Sequence, residues 1–125
     1  MFGGIFSMFG RSRELQQFDR ELRDAGLHPA LVPEPVKLTA LNLLKEVGPV
    51  TDVAYVHASR LLAYCILGPH DFEAVNDATL ADQAEARVVA ALGTDDGLDT
   101  QLVLLALHSG VINPSVIEHF GLEAE

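Results

Sequence analysis

At 125 residues, with 49% hydrophobic residues and no low-complexity tract, the chain has the length and composition of one folded domain. The net charge of −10 argues against nucleic-acid binding through the body of the domain, because a phosphate backbone would be repelled. The single cysteine, Cys65, excludes an intrachain disulfide framework and is typical of a reducing, cytoplasmic compartment. No apolar run reaches the ~18 residues of a membrane span.

Residues 1–11 are interpreted as an apolar, Phe-rich N-terminal arm, followed by a single helical domain over residues 12–125. Within the arm, four apolar residues have the i, i+3, i+4, i+7 spacing of one helical face, although neighbouring glycines weaken that helix. The arm has no basic residue before its apolar part, unlike a secretory signal. Three roles stay open for it: docking on its own domain, insertion into a partner subunit, or attachment to a membrane surface. The four apolar residues are Phe2, Ile5, Phe6 and Phe9.

Helix start and stop signals divide the domain into seven predicted helices. Ser12, Thr51 and Thr79 are candidate caps for the first, third and fifth helices, and Gly26 is placed to end the first with a Schellman motif. No stretch alternates apolar and polar residues with the period of two that marks a strand. The fold class is therefore all-α, an irregular single-domain bundle without a β-sheet. The predicted helices cover residues 13–25, 34–47, 52–67, 69–76, 80–92, 97–109 and 114–120.

The third helix is predicted to be the element around which the others pack. Between Val53 and Leu67 it carries one formal charge, Arg60, and it is apolar on almost every side. A helix of this kind is normally buried. The sixth helix, which contains the sequence LVLLAL, has the same character, so two central helices are expected.

Two other helices carry apolar stripes at helical spacing. The second helix has its stripe at Val36, Ala40, Leu43, Leu44 and Val47. The fifth helix has an i+4 row at Leu80, Ala84, Val88 and Leu92, with Asp82, Glu85 and Arg87 predicted on its solvent side.

A thin polar line on the third helix is the candidate ligand-binding site. His57, Arg60 and Tyr64 fall at i, i+3, i+7, within about 60° of one another on a helical wheel. An imidazole, a cation and a phenol in a row can hold an anionic ligand, or they can form the edge of the helix that meets solvent. His108 on the sixth helix would join this site if the two central helices cross near His57.

The sequence carries no signature of catalysis, of a cofactor or of a metal. It has no H-x-x-x-H, C-x-x-C, G-x-S-x-G, P-loop or G-x-G-x-x-G pattern. Cys65 lies mid-helix among apolar residues, where a thiol is expected to be protonated and unreactive. We therefore expect no cofactor and no metal site, and an enzymatic activity is left open but has no support in the sequence.

The leading functional expectation is a helical protein-interaction module. Two nearly all-apolar helices plus an apolar arm exceed what a monomer of this size buries comfortably, which favours self-association as a homodimer and leaves room for another protein partner. The alternative is a small-molecule or anion-binding protein with its pocket beside His57, Arg60 and Tyr64. Membrane attachment through the arm is disfavoured, because an acidic body is repelled by anionic lipid.

Overall fold

The computed structural model describes residues 13–122, which form seven α-helices with no strand in that range. The all-α prediction is therefore confirmed. A short 3₁₀ helix, Pro29–Leu31, was not predicted; the ring nitrogen Nδ1 of His28 caps it by accepting the backbone N–H of Ala30 at 3.0 Å. The helices are α1 (Arg13–Asp24), α2 (Glu34–Val47), α3 (Asp52–Leu67), α4 (Pro69–Val75), α5 (Ala78–Leu92), α6 (Leu98–His108) and α7 (Pro114–Phe120).

Most helix ends lie where the capping residues predict them. Thr51 accepts the N–H of Ala54 at 3.2 Å and starts α3 as predicted. The fifth predicted helix begins two residues too late, because Asp77 rather than Thr79 is the cap: its carboxylate accepts the N–H of Leu80 at 2.7 Å. The N-terminal arm and the Ser12 cap lie outside the described residues, and those predictions remain predictions.

Gly26 and Gly68 are positions that only glycine fits. Gly26 has φ +91° and ends α1 with the predicted Schellman motif, in which the N–H of Leu27 donates to the carbonyl of Leu22 at 2.9 Å. Gly68 has φ +93°, and a Cβ there would lie 2.6 Å from the hydroxyl of Ser115. A Cβ at Gly26 would clash with the side chain of Val75 at the end of α4, so both glycines let another helix approach a chain reversal closely.

Two asparagines tie these reversals to distant helices. The amide Nδ2 of Asn76 donates to the carbonyl of Ala25 at 2.8 Å, which fixes the end of α4 against the end of α1. Asn113 donates its backbone N–H to the carbonyl of Cys65 at 2.8 Å and its side-chain amide to the carbonyl of Leu67 at 3.0 Å. Since the carbonyls at a helix end lack partners within the helix, both side chains satisfy groups that would otherwise be left unpaired.

Helix α3 is the centre of the described bundle. It packs against α1, α4, α5 and α6, whereas α2 reaches the core mainly through α1 and α6. Half of α3 is buried, and its buried residues are Tyr55, Ala58, Ser59, Leu61, Leu62, Ala63, Tyr64 and Cys65. The predicted central element is therefore the observed one. Across residues 13–122 no helix combines the length and apolarity that a membrane crossing demands.

The predicted apolar stripes of α2 and α5 face the core over most of their length, but the last residue of each stripe is exposed. Val47 closes the α2 stripe but is 70% exposed, and Leu92 closes the α5 row but is 43% exposed. Lys37 is buried instead, because its ammonium meets the carboxylate of Asp19 on α1 at 2.8 Å. A buried ammonium is tolerated only with such a partner, and periodicity alone does not predict the partner.

Candidate functional site

Arg87 joins three helices at the amino-terminal end of α3. Its Nε and Nη2 donate to the two carboxylate oxygens of Asp99 on α6, at 3.0 and 2.8 Å, and its Nη1 donates to the main-chain carbonyl of His57 at 2.8 Å. The predicted position of Arg87 on the solvent side of its helix is wrong. The side chain is about one-quarter exposed and all three guanidinium nitrogens are engaged, so Arg87 is a structural clamp between α3, α5 and α6.

A recess of about 100 Å³ lies beside this clamp, between α3 and α5. His57 and Arg60 line it from α3, and Gln83 and Arg87 line it from α5. The polar groups at this recess are thus two guanidinium groups, an imidazole and an amide. Because Arg87 is already bound to Asp99, the cation that remains free for a solute is Arg60.

A second recess, of about 190 Å³, lies on the other side of Arg60, between α1, α3 and the start of α5. Arg60 and Leu80 line both recesses, so the two adjoin. Glu21 and Asp24 contribute carboxylates to the second recess. Its charge is therefore opposite to that of the first.

Arg60 differs from the other buried or half-buried cations of the described chain. Lys37 and Arg87 have carboxylate partners at 2.8 Å, whereas Arg60 has no ion pair or hydrogen bond with any residue between 13 and 122. Glu21 and Asp24 lie around the same recess but beyond ion-pair distance of Arg60. Charges of opposite sign that are not paired with each other therefore face one shared space.

Tyr64, the third residue of the predicted polar line, is not at either recess. It is fully buried, with its ring edge-on to Phe72 at 5.5 Å and to Phe120 at 6.4 Å between centroids. Its hydroxyl has no hydrogen-bond partner in the described structure. Burial, and secondarily the charge of Glu85, raises the pKa of Tyr64 to about 12.

His108 lies at the opposite end of the α3–α6 pair from His57. The amino-terminal ends of these helices meet through Arg87 and Asp99, and their carboxyl-terminal ends meet where Asn113 binds the carbonyl of Cys65. The helices thus run in the same direction. Cys65 lies eight residues after His57, a rise of roughly 12 Å along α3. Since His108 is at the end of α6 that lies near Cys65, the structure does not bring the two histidines together.

Cys65 is enclosed in the core and is suited to packing rather than chemistry. Burial raises the pKa of its thiol to about 12, the Arg87 guanidinium lowers it, and Asp99 raises it to a smaller extent. Nucleophilic attack requires the thiolate, which is scarce at neutral pH under these conditions. Among residues 13–122, no group of three His, Cys, Asp or Glu side chains is arranged to hold a metal ion.

An apolar groove runs between α2 and α6 and contains His108 at one end. It consists of two adjoining depressions of about 250 and 360 Å³ that share Leu43 and Gln101. Glu46 is the one formally charged residue among those lining it in the described structure. We call this surface the α2–α6 groove; its aliphatic side chains are Leu43, Val47, Leu98, Leu104 and Leu105.

The sequence predicts two of the polar residues at the recesses and misses four others, three of which are charged. His57 and Arg60 were predicted; Glu21, Asp24, Gln83 and Arg87 were not. A helical wheel places residues around one helix, but it gives no information on which residue of another helix lies opposite. Arg87 offered one usable signal, since it is the sole basic residue among eleven acidic ones between positions 61 and 125.

No protein-family model, curated protein or solved structure matches this chain.

Proposed function

We propose that this chain is a non-enzymatic helical interaction module that forms a homodimer through the α2–α6 groove. The observation that carries the proposal is the exposure of aliphatic side chains along the groove, including Val47 at 70%. A continuous apolar surface on a small domain marks an interaction site more often than a scatter of single exposed residues does.

The charge distribution favours a second copy as the occupant. Each copy carries a net charge of −10, so two copies repel each other, and the repulsion is smallest where their contact avoids acidic side chains. The α2–α6 groove has Glu46 as its formal charge, whereas the open surface on α5 around Val89 carries both Asp82 and Glu85. Interface cores are depleted of charge in the same way.

A twofold dimer would place the groove of one copy against the groove of the other, since the same patch is used on both sides. Gln101 belongs to both depressions and therefore lies near the middle of that contact. The apolar arm is the second contributor in this proposal. Its residues Phe2, Ile5, Phe6 and Phe9 lie outside the described range, and their share of the affinity is measured by deleting residues 1–10.

The test is a matched pair of double variants. Val47→Glu with Gln101→Glu places two carboxylates in the groove, and Val89→Glu with Gln83→Glu makes the same residue changes on exposed positions of α5. Light scattering at micromolar concentration should give about twice the 13.5 kDa chain mass for the wild type and the α5 control, and the monomer mass for the groove variant.

Two results would contradict the dimer proposal. One is a wild type that stays monomeric at tens of micromolar and is unchanged by deletion of residues 1–10. The other is an equal mass for the groove variant and the α5 control. Salt gives an independent check: because two acidic copies repel, higher ionic strength should strengthen association through an apolar contact and would weaken one held by ion pairs.

A further inference from the structure

The two recesses around Arg60 have features that self-association does not explain. They lie between α1, α3 and α5, whereas the proposed dimer surface lies between α2 and α6. Neither recess alone reaches the ~300 Å³ of a small ligand pocket, but the two adjoin at Arg60 and Leu80 and together approach that size. The candidate ligand site is therefore the pair of recesses.

The smaller recess presents hydrogen-bond donors. Arg60 offers five N–H groups, none of which binds a residue between 13 and 122, and the Gln83 amide and the His57 ring have no partner within that range either. A carboxylate or phosphate oxygen accepts from such groups, and a bond to a charged donor is stronger than one between neutral groups. This recess is suited to an anionic group.

The larger recess presents acceptors. Glu21 and Asp24 come from α1, one helical turn apart, and both line it. The side-chain amide of Asn76 donates to the carbonyls of Ala25 and Phe72, so its side-chain oxygen is an additional acceptor at this recess. This recess is suited to an ammonium group.

We propose that the paired recesses form one binding site for a small zwitterion, with its anionic group beside Arg60, His57 and Gln83 and its cationic group beside Glu21 and Asp24. Arg60 is not paired with Glu21 or Asp24, so a solute that carries both charges would contact both sets. Leu80 and Ala84 provide apolar wall for the carbon chain between the two groups. Amino-acid-like molecules are the ligand class with this pattern.

The experiment titrates the ¹⁵N-labelled full-length chain with probes of defined charge and follows backbone amide shifts. The zwitterions are glycine, 4-aminobutyrate and 6-aminohexanoate, which separate the two charged groups by increasing distances. Inorganic phosphate supplies a negative charge alone, and putrescine supplies positive charges alone. We expect saturable shifts around Arg60, Leu80 and Gln83 with at least one zwitterion, at lower concentration than with either single-charge probe.

Matched variants assign the two ends of the ligand. Arg60→Gln and Asp24→Asn should each weaken zwitterion binding about tenfold to a hundredfold, because each removes one charge-assisted contact. Arg23→Gln and Glu73→Gln remove the same charges from exposed helical positions that line neither recess, and they should leave binding unchanged.

The other outcomes overturn the proposal. If Arg60→Gln has no effect, or if no probe gives saturable shifts at millimolar concentration, the recesses are not a site. If phosphate binds as tightly as the best zwitterion and Asp24→Asn has no effect, the site takes anions only. If putrescine alone binds as tightly and Arg60→Gln has no effect, it takes cations only. None of these results bears on the dimer, which is measured separately by mass.

Discussion

The residues His57, Arg60 and Tyr64 lie on one face of α3, but the first two are partly or fully exposed and the third is buried. At the amino-terminal half, His57 is exposed, Arg60 is half-buried, and both border open recesses. At the carboxyl-terminal half, Tyr64 is fully buried under two aromatic rings. Position around a helix therefore does not determine burial; the neighbouring helix does.

The neighbours differ in the side chains they supply. Helices α4 and α7 place Phe72 and Phe120 over Tyr64, whose hydroxyl is shut away from solvent. At the other half, α5 presents the polar side chains of Gln83 and Arg87 to α3. One half is consequently a packed core whose groups resist ionisation, and the other is an open polar surface whose groups remain available to a solute.

The largest expected effect is a loss of stability in alkaline solution. It originates in the buried carboxyl-terminal half of α3, which contains Tyr64 and Cys65. Cys65 and Tyr64 each have a folded-state pKa raised to about 12, from ordinary values of 9.0 and 10.0. The folded state favours their protonated forms, so this stabilisation is complete below pH 9 for Cys65 and below pH 10 for Tyr64, and it is lost as pH rises toward 12. Urea unfolding should show the free energy of unfolding falling by about 4 kcal/mol between about pH 9 and 11.

Variants separate the two groups in that experiment. Cys65→Ala should make the decline shallower from about pH 9 upward, because the unfolded thiol ionises from that pH while the folded thiol stays protonated toward pH 12. Tyr64→Phe should flatten the part above about pH 10. An unchanged slope in both variants would mean that the alkaline transition originates elsewhere in the chain.

The next largest effect on stability is expected from removing Arg87, which binds α3, α5 and α6 together beside the two recesses. Arg87→Gln should lower the free energy of unfolding by about 2 kcal/mol, because Asp99 and the carbonyl of His57 lose charged donors. The expected loss is smaller than that of breaking a fully buried pair, since Arg87 and Asp99 are 23% and 34% exposed. Thermal unfolding should shift by roughly 5–10 °C. Arg23→Gln, at an exposed position on α1, is the matched control and should shift it little.

Removing the Tyr64 hydroxyl should raise stability. The hydroxyl is buried without a hydrogen-bond partner in residues 13–122, so Tyr64→Phe eliminates a desolvated polar group while keeping the ring packed on Phe72 and Phe120. We expect a gain of about 1 kcal/mol at neutral pH, measured by urea unfolding. A loss of similar size would indicate that the hydroxyl is hydrogen-bonded in solution.

The smallest expected effect is that of Arg60→Gln on stability. Since Arg60 has no partner in the described chain, the free energy of unfolding should change by less than about 0.5 kcal/mol. Arg60 and Arg87 line the same recess, but only Arg87 is paired with a carboxylate in the described chain. Comparing the free energy of unfolding of Arg60→Gln and Arg87→Gln therefore tests what this pairing contributes to stability. Equal losses in the two variants would show that Arg60 is also structural.

Local signals in the sequence predicted most helix ends because each end depends on a few adjacent residues. Thr51 and Gly26 act as predicted, since a cap and a left-handed reversal are properties of about four to six consecutive residues. The prediction of Thr79 as the cap of α5 was wrong because Asp77, two positions earlier, is also a good capping residue and accepts the N–H of Leu80. The candidate site was predicted less well, because most of its polar residues come from α1 and α5.

The sequence by itself determined the helical class, the central place of α3 and the apolar surroundings of Cys65, because these follow from periodicity and from apolar composition. Only the tertiary structure decided that Arg87 clamps three helices while Arg60 stays unpaired within the described chain. It alone separated Tyr64 and His108 from His57, and showed that α2 and α6 leave an apolar groove open. The physical reason is that pairing and covering depend on which residues of other helices lie opposite, and that distance in space is not encoded in spacing along one helix.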